Sequence, residues 1–297
     1  MKPGRYFSPG KLLLSGEYLV LLGAKAFALP TKLGQWLEVE EIDEDHCEYR
    51  AFDKENVLWL SAKFDLNGGL LTSNSLTEAK KLESVLRLLN LKKDKGGWSF
   101  SSKLDFDRNW GLGSSSTFLA NLANASSLDA FDLFFRTQTG SGYDIAVALS
   151  RSPLFYVVNN QQPEYQLVEF NPLFKSQLFF VYLEKKQNSE KEVKGFLDKP
   201  QITSNQIELV GHLSEAMAYA KNLVDFGKAM EEHEGLLSNI LGKPSIEQTR
   251  FRDFPGKIKS LGAWGGDFAL AACEDSPLEY FSKRGFRTVL SFQEMIG

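Results

Sequence analysis

The chain has 297 residues, of which 43% are hydrophobic, and this is enough to bury a substantial core. Charged residues make up 24% and are mixed in sign, so the composition is that of a globular protein and not of a disordered one. The net charge is −4 and no basic block stands out, which argues against a nucleic-acid-binding protein.

The first half of the chain is predicted to be rich in strands. A capping-box pattern, Ser75 followed by Glu78, begins a helix whose apolar stripe continues to Leu89. Three further helices are predicted at residues 111–127, 129–136 and 145–149. The predicted strands of this half are residues 12–14, 18–22, 35–42, 47–52, 57–64, 98–104 and 153–158.

The second half restarts with a strongly apolar strand at residues 177–183. A long helical stretch follows at 205–234, and the remaining pattern is that of a small α+β sandwich. Its other predicted elements are a strand at 268–273, a helix at 277–283 and a strand at 286–292. We therefore predict two domains, residues 1–172 and 173–297.

Cysteine and hydropathy patterns indicate the compartment. Cys47 and Cys273 lie far apart, and three histidines add no ligand spacing, so no metal cluster is predicted. Two thiols in a chain of this size suit a reducing compartment. The N-terminal residues lack the apolar core of a signal peptide, and every apolar run is shorter than the ~20 residues of a membrane helix. We expect a soluble, cytoplasmic protein without a membrane partner.

Two glycine-bearing segments carry candidate chemistry in the first part of the chain. Lys11 follows a Pro-Gly turn and precedes a strand, where it could neutralise a phosphate, or could simply be a surface lysine. Gly111-Leu-Gly-Ser-Ser-Ser116 leads into a helix, so its amides and the helix N-terminus could bind phosphate. The alternative for this second segment is a serine-capped helix. It is not a Walker A loop, since the Gly-Lys-Ser/Thr ending is absent.

Two later segments add a candidate base and another glycine loop. Asp144 ends Gly140-Ser-Gly-Tyr-Asp and could accept a proton from a substrate hydroxyl, or could cap the helix that follows. Gly262-Ala-Trp-Gly-Gly-Asp267 precedes a strand and indicates a close approach of the backbone to another group.

The order of these four segments resembles the GHMP kinase superfamily, which includes galactokinase, homoserine kinase, mevalonate kinase and phosphomevalonate kinase. The resemblance covers residues 6–292. It implies an α+β fold with two domains, an N-terminal ATP-binding domain like domain 2 of ribosomal protein S5 and a C-terminal ferredoxin-like domain. It also implies ATP and Mg²⁺ as cofactors and a small-molecule acceptor, in a monomer or homodimer.

The resemblance assigns roles to matching positions. Asp144 would be the catalytic base and Lys11 the lysine near the transferred phosphoryl group. Ser115 or Ser116 would reach Mg²⁺. The residues that would surround the ATP phosphates are Gly111, Gly113, Ser114, Ser115 and Ser116, and those of the third-motif loop beside the substrate are Gly262, Ala263, Gly265 and Gly266.

Within the superfamily, the first motif and the string Gly-Tyr-Asp-Ile-Ala look most like the mevalonate and phosphomevalonate kinase branch, including a bacterial group named for that string. Trp264 departs from the pattern because the family usually has glycine there. A second acidic Mg²⁺ ligand has no obvious counterpart, and Asp129 and Asp132 are the only carboxylates between Ser116 and Asp144. Candidates for holding substrate anions are Arg108, Arg136, Lys185 and Lys186.

The expected function is transfer of the γ-phosphoryl group of ATP to a small acid of the mevalonate or phosphomevalonate type, in isoprenoid biosynthesis. Two alternatives remain: a catalytically inactive sensor of ATP or a metabolite with the same fold, and a kinase for another small alcohol or sugar.

Overall fold

The computed structural model describes residues 1–184, 196 and 202–297. The chain divides into two compact units, and two of the divisions fall inside the strands Gly4–Ser15 and Ala26–Ile42. The first unit comprises Met1–Gly10, Leu33–Arg108 and Leu112–Leu149, and the second comprises Lys11–Lys32, Asn109–Gly111 and Ser150–Gly297. The assignment of residues 1–172 and 173–297 to two functional domains stays a prediction.

The first unit is built on a mixed sheet. Its strand order is β5-β4-β3-β6-β2, and neighbours are antiparallel except for the parallel pair β3 and β6. Alternating apolar residues of these strands face a core that includes Val39, Phe64 and Phe100. The strands are β1 (Gly4–Ser15), β2 (Ala26–Ile42), β3 (Cys47–Phe52), β4 (Leu58–Phe64), β5 (Leu70–Ser73) and β6 (Gly97–Leu104).

Helices of the first unit cover that core. They are α1 (Leu76–Leu86), α2 (Ser114–Ser126), α3 (Ala130–Thr137) and α4 (Tyr143–Ser150). Leu119, Leu122 and Leu133 are buried in the same cluster as the strand residues. Burying each such side chain contributes roughly 1.5–3 kcal/mol.

A buried polar network fixes α2 to the strands. Asn121 accepts a hydrogen bond from Ser8 Oγ at 2.9 Å and donates Nδ2 to the Gln35 carbonyl at 2.8 Å. Thr117 Oγ1 donates to Gln35 Oε1 at 2.6 Å. Asn121 is completely buried, so each of these bonds sets the position of the helix in a place that water cannot reach.

The second unit contains two sheet regions. Strand β7 (Leu154–Asn159) pairs antiparallel with residues 26–28 of β2 and with β8 (Gln162–Leu167). A four-stranded antiparallel sheet has the order β10-β11-β9-β12. Its strands are β9 (Leu178–Tyr182), β10 (Lys257–Leu261), β11 (Phe268–Ala272) and β12 (Val289–Ser291).

Five helices of the described residues belong to this unit. The long pair α5 and α6 carries its apolar stripe inward, and Phe226 and Met230 of α6 are buried. The helices are α5 (Ser204–Ala218), α6 (Leu223–Leu241), α7 (Ile246–Arg250), α8 (Leu278–Ser282) and α9 (Phe292–Met295).

Several predicted elements were wrong in detail. Residues 18–22 form a 3₁₀ turn, Leu19–Leu22, because Tyr18 has a φ of 64° and turns the chain. The predicted helix 205–234 is two helices, since Asn222 caps α6 by accepting from the Asp225 amide. Ser75 makes no side-chain cap, and residues 286–292 contain only the short strand β12.

The structure also describes the environment of the two cysteines and the length and polarity of the helices. Cys47 and Cys273 are both buried free thiols, one in each unit. Burial raises the pKa of each thiol to about 11. Among the described residues, no helix is both long and apolar enough to cross a membrane.

The Asn121 network generates a stability prediction. We expect Asn121→Ala to lower the free energy of unfolding by about 2–4 kcal/mol, because it leaves the Ser8 hydroxyl and the Gln35 carbonyl buried without partners. The measurement is denaturant unfolding followed by circular dichroism. Asn124→Ala is the matched control, since Asn124 is exposed on the same helix. Equal losses in the two variants would contradict the assignment.

Candidate functional site

In the first unit, the candidate phosphate-binding segment forms the start of α2. Gly113 is the N-cap residue, with a φ of 86°, and no side chain caps the helix. The alternative of a serine-capped helix is therefore wrong, because Ser114, Ser115 and Ser116 form the first helical turn. The amides of this turn have no partner inside the helix, and they lie at the positive end of its dipole. This turn can bind an anion.

The same helical start lies against the candidate base. Ser116 Oγ donates a hydrogen bond to Asp144 Oδ2, although the two residues are 28 positions apart in the chain. Asp144 stands in the first turn of α4, where its Oδ1 also accepts from the Ile145 amide at 3.1 Å. Its side chain is half-buried. Ser115 is exposed.

In the second unit, the candidate lysine contacts the beginning of the glycine segment. Lys11 Nζ donates to the Gly111 carbonyl at 3.0 Å. The residue before Gly111 is anchored by aromatic packing, because the Trp110 ring lies 5.5 Å from the Phe268 ring and 6.2 Å from the Tyr182 ring. The Tyr182 hydroxyl also donates to the Asn109 carbonyl at 3.2 Å. Lys11 therefore contacts a segment that aromatic packing anchors within this unit.

Gly111 is constrained by a carboxylate. Its φ is 66°, and a Cβ atom placed there would lie 2.2 Å from Asp267 Oδ2. A side chain would both strain the backbone and collide with this carboxylate. The approach of Asp267 therefore requires glycine at position 111.

The third glycine segment, residues 262–266, connects β10 to β11 in the second unit. Gly262 and Gly265 have positive φ values of 73° and 70°, and the Gly266 amide donates to the Ala263 carbonyl at 3.1 Å. The Trp264 amide donates to the Tyr18 hydroxyl at 2.7 Å, and the Gly265 amide donates to Ser260 Oγ at 3.3 Å. Side chains outside the turn thus hold two of its consecutive amides.

The Trp264 side chain points into the core of the second unit. It packs in an apolar cluster that includes Tyr18, Leu237 and Leu241. Its Nε1 donates to the Pro244 carbonyl at 3.2 Å, and only 8% of the residue is exposed. The indole therefore serves as a packing residue, and Trp264 also lines a neighbouring pocket of about 860 Å³.

Four buried ionisable residues lie beneath these turns, all in the second unit. Lys259 Nζ is 2.7 Å from Glu17 Oε1 and also donates to the Ser260 carbonyl at 2.6 Å. His233 Nε2 accepts from the Gly16 amide at 3.0 Å, and Glu234 Oε1 accepts from the Ser260 amide at 3.2 Å. We call Glu17, His233, Glu234 and Lys259 the buried quartet.

The protonation of the buried quartet follows from burial and geometry. Because His233 Nε2 accepts an N–H, the imidazole is neutral, and its 3.4 Å separation from Glu17 Oε2 is not an ion pair. Burial, together with the Lys259 ammonium, holds the pKa of His233 well below its usual range. Burial raises the pKa of Glu17, with Lys259 opposing that shift, and burial raises the pKa of Glu234 to about 7.

Other predicted anion-binding residues have partners of their own. Arg108 stacks on Trp59, with Cζ 3.5 Å from the ring centroid, and Arg136 pairs with Asp132 on the exposed face of α3. Asp129 caps α3 by accepting from the Asp132 amide. Lys185 and Lys186 lie outside the described residues.

Sequence reasoning missed the residues that support the turns. Lys259 lies in β10, a strand that was not predicted, and His233 lies in a stretch that was predicted only as helical. Asp267 was noted only as part of a motif, although it meets Gly111 156 positions earlier in the chain.

Comparisons with known proteins identify the fold. No protein-family model and no curated protein sequence matches the chain. Among solved structures, the chain is similar to a Methanococcus jannaschii mevalonate kinase, with 18% identity, a TM-score of 0.71 and 97% of each chain covered.

Two further structures show the same similarity. A Streptococcus pneumoniae phosphomevalonate kinase in complex with phosphomevalonate and AMPPNP has 16% identity and a TM-score of 0.69, covering 97% of this chain and 99% of that one. A Lactococcus lactis galactokinase complexed with galactose has 14% identity and a TM-score of 0.60, covering 94% and 87%. The chain therefore has the α+β fold of the GHMP kinases, and that prediction is confirmed.

The contact between Gly111 and Asp267 yields a second prediction. We expect Gly111→Ala to lower the free energy of unfolding by about 2–4 kcal/mol, since a strained φ and a steric collision are combined. Gly285→Ala is the control, because Gly285 has a φ of 88° with nothing within 4 Å of its Cβ position, and it should cost only about 1 kcal/mol. Thermal and denaturant unfolding would measure both. Adding Asp267→Ser to Gly111→Ala removes the carboxylate, so it should restore the stability that Gly111→Ala loses beyond the loss in Gly285→Ala. If the double variant is no more stable than Gly111→Ala, the collision does not occur.

The buried Glu234 carboxyl yields a pH prediction. The folded state keeps the proton up to about pH 7, whereas the unfolded state releases it near the ordinary value of 4.5. The folded state binds more protons between these values, so this group's contribution to the free energy of unfolding is present below pH 4.5 and is lost as pH rises to about 7. The loss should be about 2–4 kcal/mol.

Glu234→Gln removes this titration while keeping an acceptor for the Ser260 amide. We expect the stability of the wild type relative to this variant to decrease between pH 4.5 and 8, as measured by urea unfolding at several pH values. Subtracting the variant cancels the opposite contribution of His233. Glu232→Gln, at an exposed position on the same helix, is the control. A difference that does not depend on pH would show that Glu234 titrates normally.

Proposed function

We propose that this chain is an ATP-dependent small-molecule kinase of the GHMP type. One observation carries the proposal: a glycine-started helix presents open amides and a serine hydroxyl that donates to a carboxylate, Asp144. An anion-binding turn joined to a proton acceptor is what phosphoryl transfer to a hydroxyl needs. Solved structures with this fold include kinases named for mevalonate, phosphomevalonate, a heptose 1-phosphate and galactose.

In this proposal the first-turn amides of α2 bind the phosphates of ATP, and the helix dipole favours their negative charge. Asp144 orients the attacking oxygen and accepts its proton, and Ser116 holds the carboxylate in one orientation. Lys11 contributes a positive charge that stabilises the transferred group. Residues 262–266 contact the acceptor.

The donors present suit Mg²⁺. Hard cations prefer oxygen ligands, and the Ser115 and Ser116 hydroxyls and the Asp144 carboxylate are oxygens on adjoining turns of the first unit. Ser115 or Ser116 would hold the ion. When bound, Mg²⁺ neutralises charge that develops on the phosphates.

The acceptor that we propose is a small acid of the mevalonate or phosphomevalonate type. The Gly-Tyr-Asp-Ile-Ala string and the third-motif Asp267 support that branch. A kinase for another small alcohol or sugar is the second candidate, since a galactokinase shares the fold. The Trp264 indole lies within the core of its own unit, so its presence in the third motif does not by itself favour the inactive-sensor alternative.

The test is ADP release by the purified protein with ATP and Mg²⁺, offering mevalonate, 5-phosphomevalonate, homoserine and galactose singly. Release that depends on one acceptor would establish both the activity and the branch. ATP binding measured by calorimetry, without turnover of any acceptor, would instead favour the sensor.

Asp144→Asn provides the sharper prediction. If the acceptor is a hydroxyl, we expect kcat to fall by about 10²–10⁴-fold, because the proton acceptor is lost while an oxygen remains to bind Ser116. If the acceptor is a phosphate, which needs no strong base, the fall should be only about tenfold. Asp132→Asn, on an exposed surface of the same unit, is the control. Near-wild-type rates on a hydroxyl acceptor would rule out Asp144 as the base.

A further inference from the structure

The buried quartet has no evident role in stability alone. All four residues are less than 5% exposed, so none of them can touch a substrate. Burying charges is costly, and apolar side chains of similar volume often serve a core equally well. The quartet is therefore expected to contribute something that apolar residues cannot, and the contacts that it makes indicate what this is.

The hydrogen bonds of the quartet end on backbone atoms of two segments. His233 binds the amide of Gly16, which has a φ of 91°. Glu234 accepts a hydrogen bond from the Ser260 amide, and Lys259 donates one to the Ser260 carbonyl. Both backbone polar groups of Ser260 are therefore hydrogen-bonded to the quartet. The Lys259–Glu17 pair then joins the two segments to each other. Directional bonds of this kind fix backbone conformation, which packing alone does not.

From these fixed points the contacts continue to the glycine turn. Ser260 presents its hydroxyl to the Gly265 amide, and Tyr18, which follows Glu17, presents its hydroxyl to the Trp264 amide. The turn contains Gly262 and Gly265 in left-handed conformations. Glycine gives such a turn many alternative conformations, and the two anchored amides select one of them.

We infer that Glu17, His233, Glu234 and Lys259 are positioning residues, which act through Ser260 and Tyr18 to hold residues 262–266 in one conformation. The inference rests on the proposed function for its catalytic consequence, because those residues are proposed to contact the acceptor. A preordered loop removes the cost of ordering it in each turnover.

The first experiment measures amide hydrogen exchange at Trp264 and Gly265 in the protein without ligand. Tyr18→Phe removes the acceptor of the Trp264 amide and Ser260→Ala that of Gly265, and each should speed exchange of its own amide by about tenfold. Tyr280→Phe and Ser282→Ala are matched controls, since each removes a hydroxyl hydrogen bond at an exposed site of the same unit.

A paired variant tests the quartet itself. Lys259→Met alone would leave the Glu17 carboxylate buried without its cation and could unfold the protein. Glu17→Gln together with Lys259→Met removes both charges, and it should speed exchange at both amides by about tenfold while the protein stays folded. Unchanged exchange in this folded variant would overturn the inference.

Kinetics with the acceptor that the wild type phosphorylates complete the test. We expect kcat to fall about tenfold or more in the paired variant and in Ser260→Ala. The KM for ATP should change by less than about threefold in both variants. Ser260→Thr, which keeps a hydroxyl, should restore the rate that Ser260→Ala loses. Faster exchange with an unchanged kcat would overturn the positioning role. If the wild type phosphorylates nothing, the proposed function fails, and the exchange data still decide whether the quartet orders the turn.

Discussion

The desolvated Lys259 ammonium is the constraint on which the third glycine turn of the second unit depends. A charge without access to water must be matched by partners at short range, and here these are the Glu17 carboxylate and a backbone carbonyl. Glu17 lies in the turn after β1, 242 positions earlier in the chain, and the carbonyl belongs to Ser260, the next residue of β10. Satisfying one lysine therefore ties the turn after β1 to β10, and α6 joins them through His233 and Glu234, which accept from the Gly16 and Ser260 amides.

Glycine has different uses in the segments described. At Gly113 it lets α2 begin without a side-chain cap, which leaves the first-turn amides open to an anion. At Gly111 it permits a carboxylate to approach the backbone closely. In residues 262–266 it permits a tight turn whose conformation is then selected by hydroxyl groups. These uses differ physically, although both segments look like similar glycine-bearing loops in the sequence.

The strands and helices that were predicted correctly are those with a strong local signal. Strands at residues 47–52 and 98–104 and a helix at residues 129–136 were predicted, and β3, β6 and α3 occupy nearly the same residues. The break between α5 and α6 was missed because the apolar periodicity continues through it, and only Asn222 marks the new start. The short edge strand β8 was missed because its residues are mostly exposed and polar.

The candidate site, like the fold, was predicted only where the sequence pattern is local. The first turn of α2 and Asp144 were recognised because glycine and serine patterns are local, and their order along the chain resembles a family. The hydrogen bond between Ser116 and Asp144, however, depends on how α2 packs against α4. The buried quartet could not be foreseen at all, because a lysine in a strand or a histidine in a helix carries no local sign of burial. Only the folded chain determines which charges lose their water.

The two cysteines give each unit its own chemical reporter. Thiolates, not thiols, react with alkylating reagents, and both sulfurs are shielded, with pKa values of about 11. Labelling must then wait for an opening of the structure around each sulfur. Cys47 belongs to the first unit and Cys273 to the second. The labelling rates of the two thiols therefore report the opening of each unit separately, in one sample and without an introduced probe.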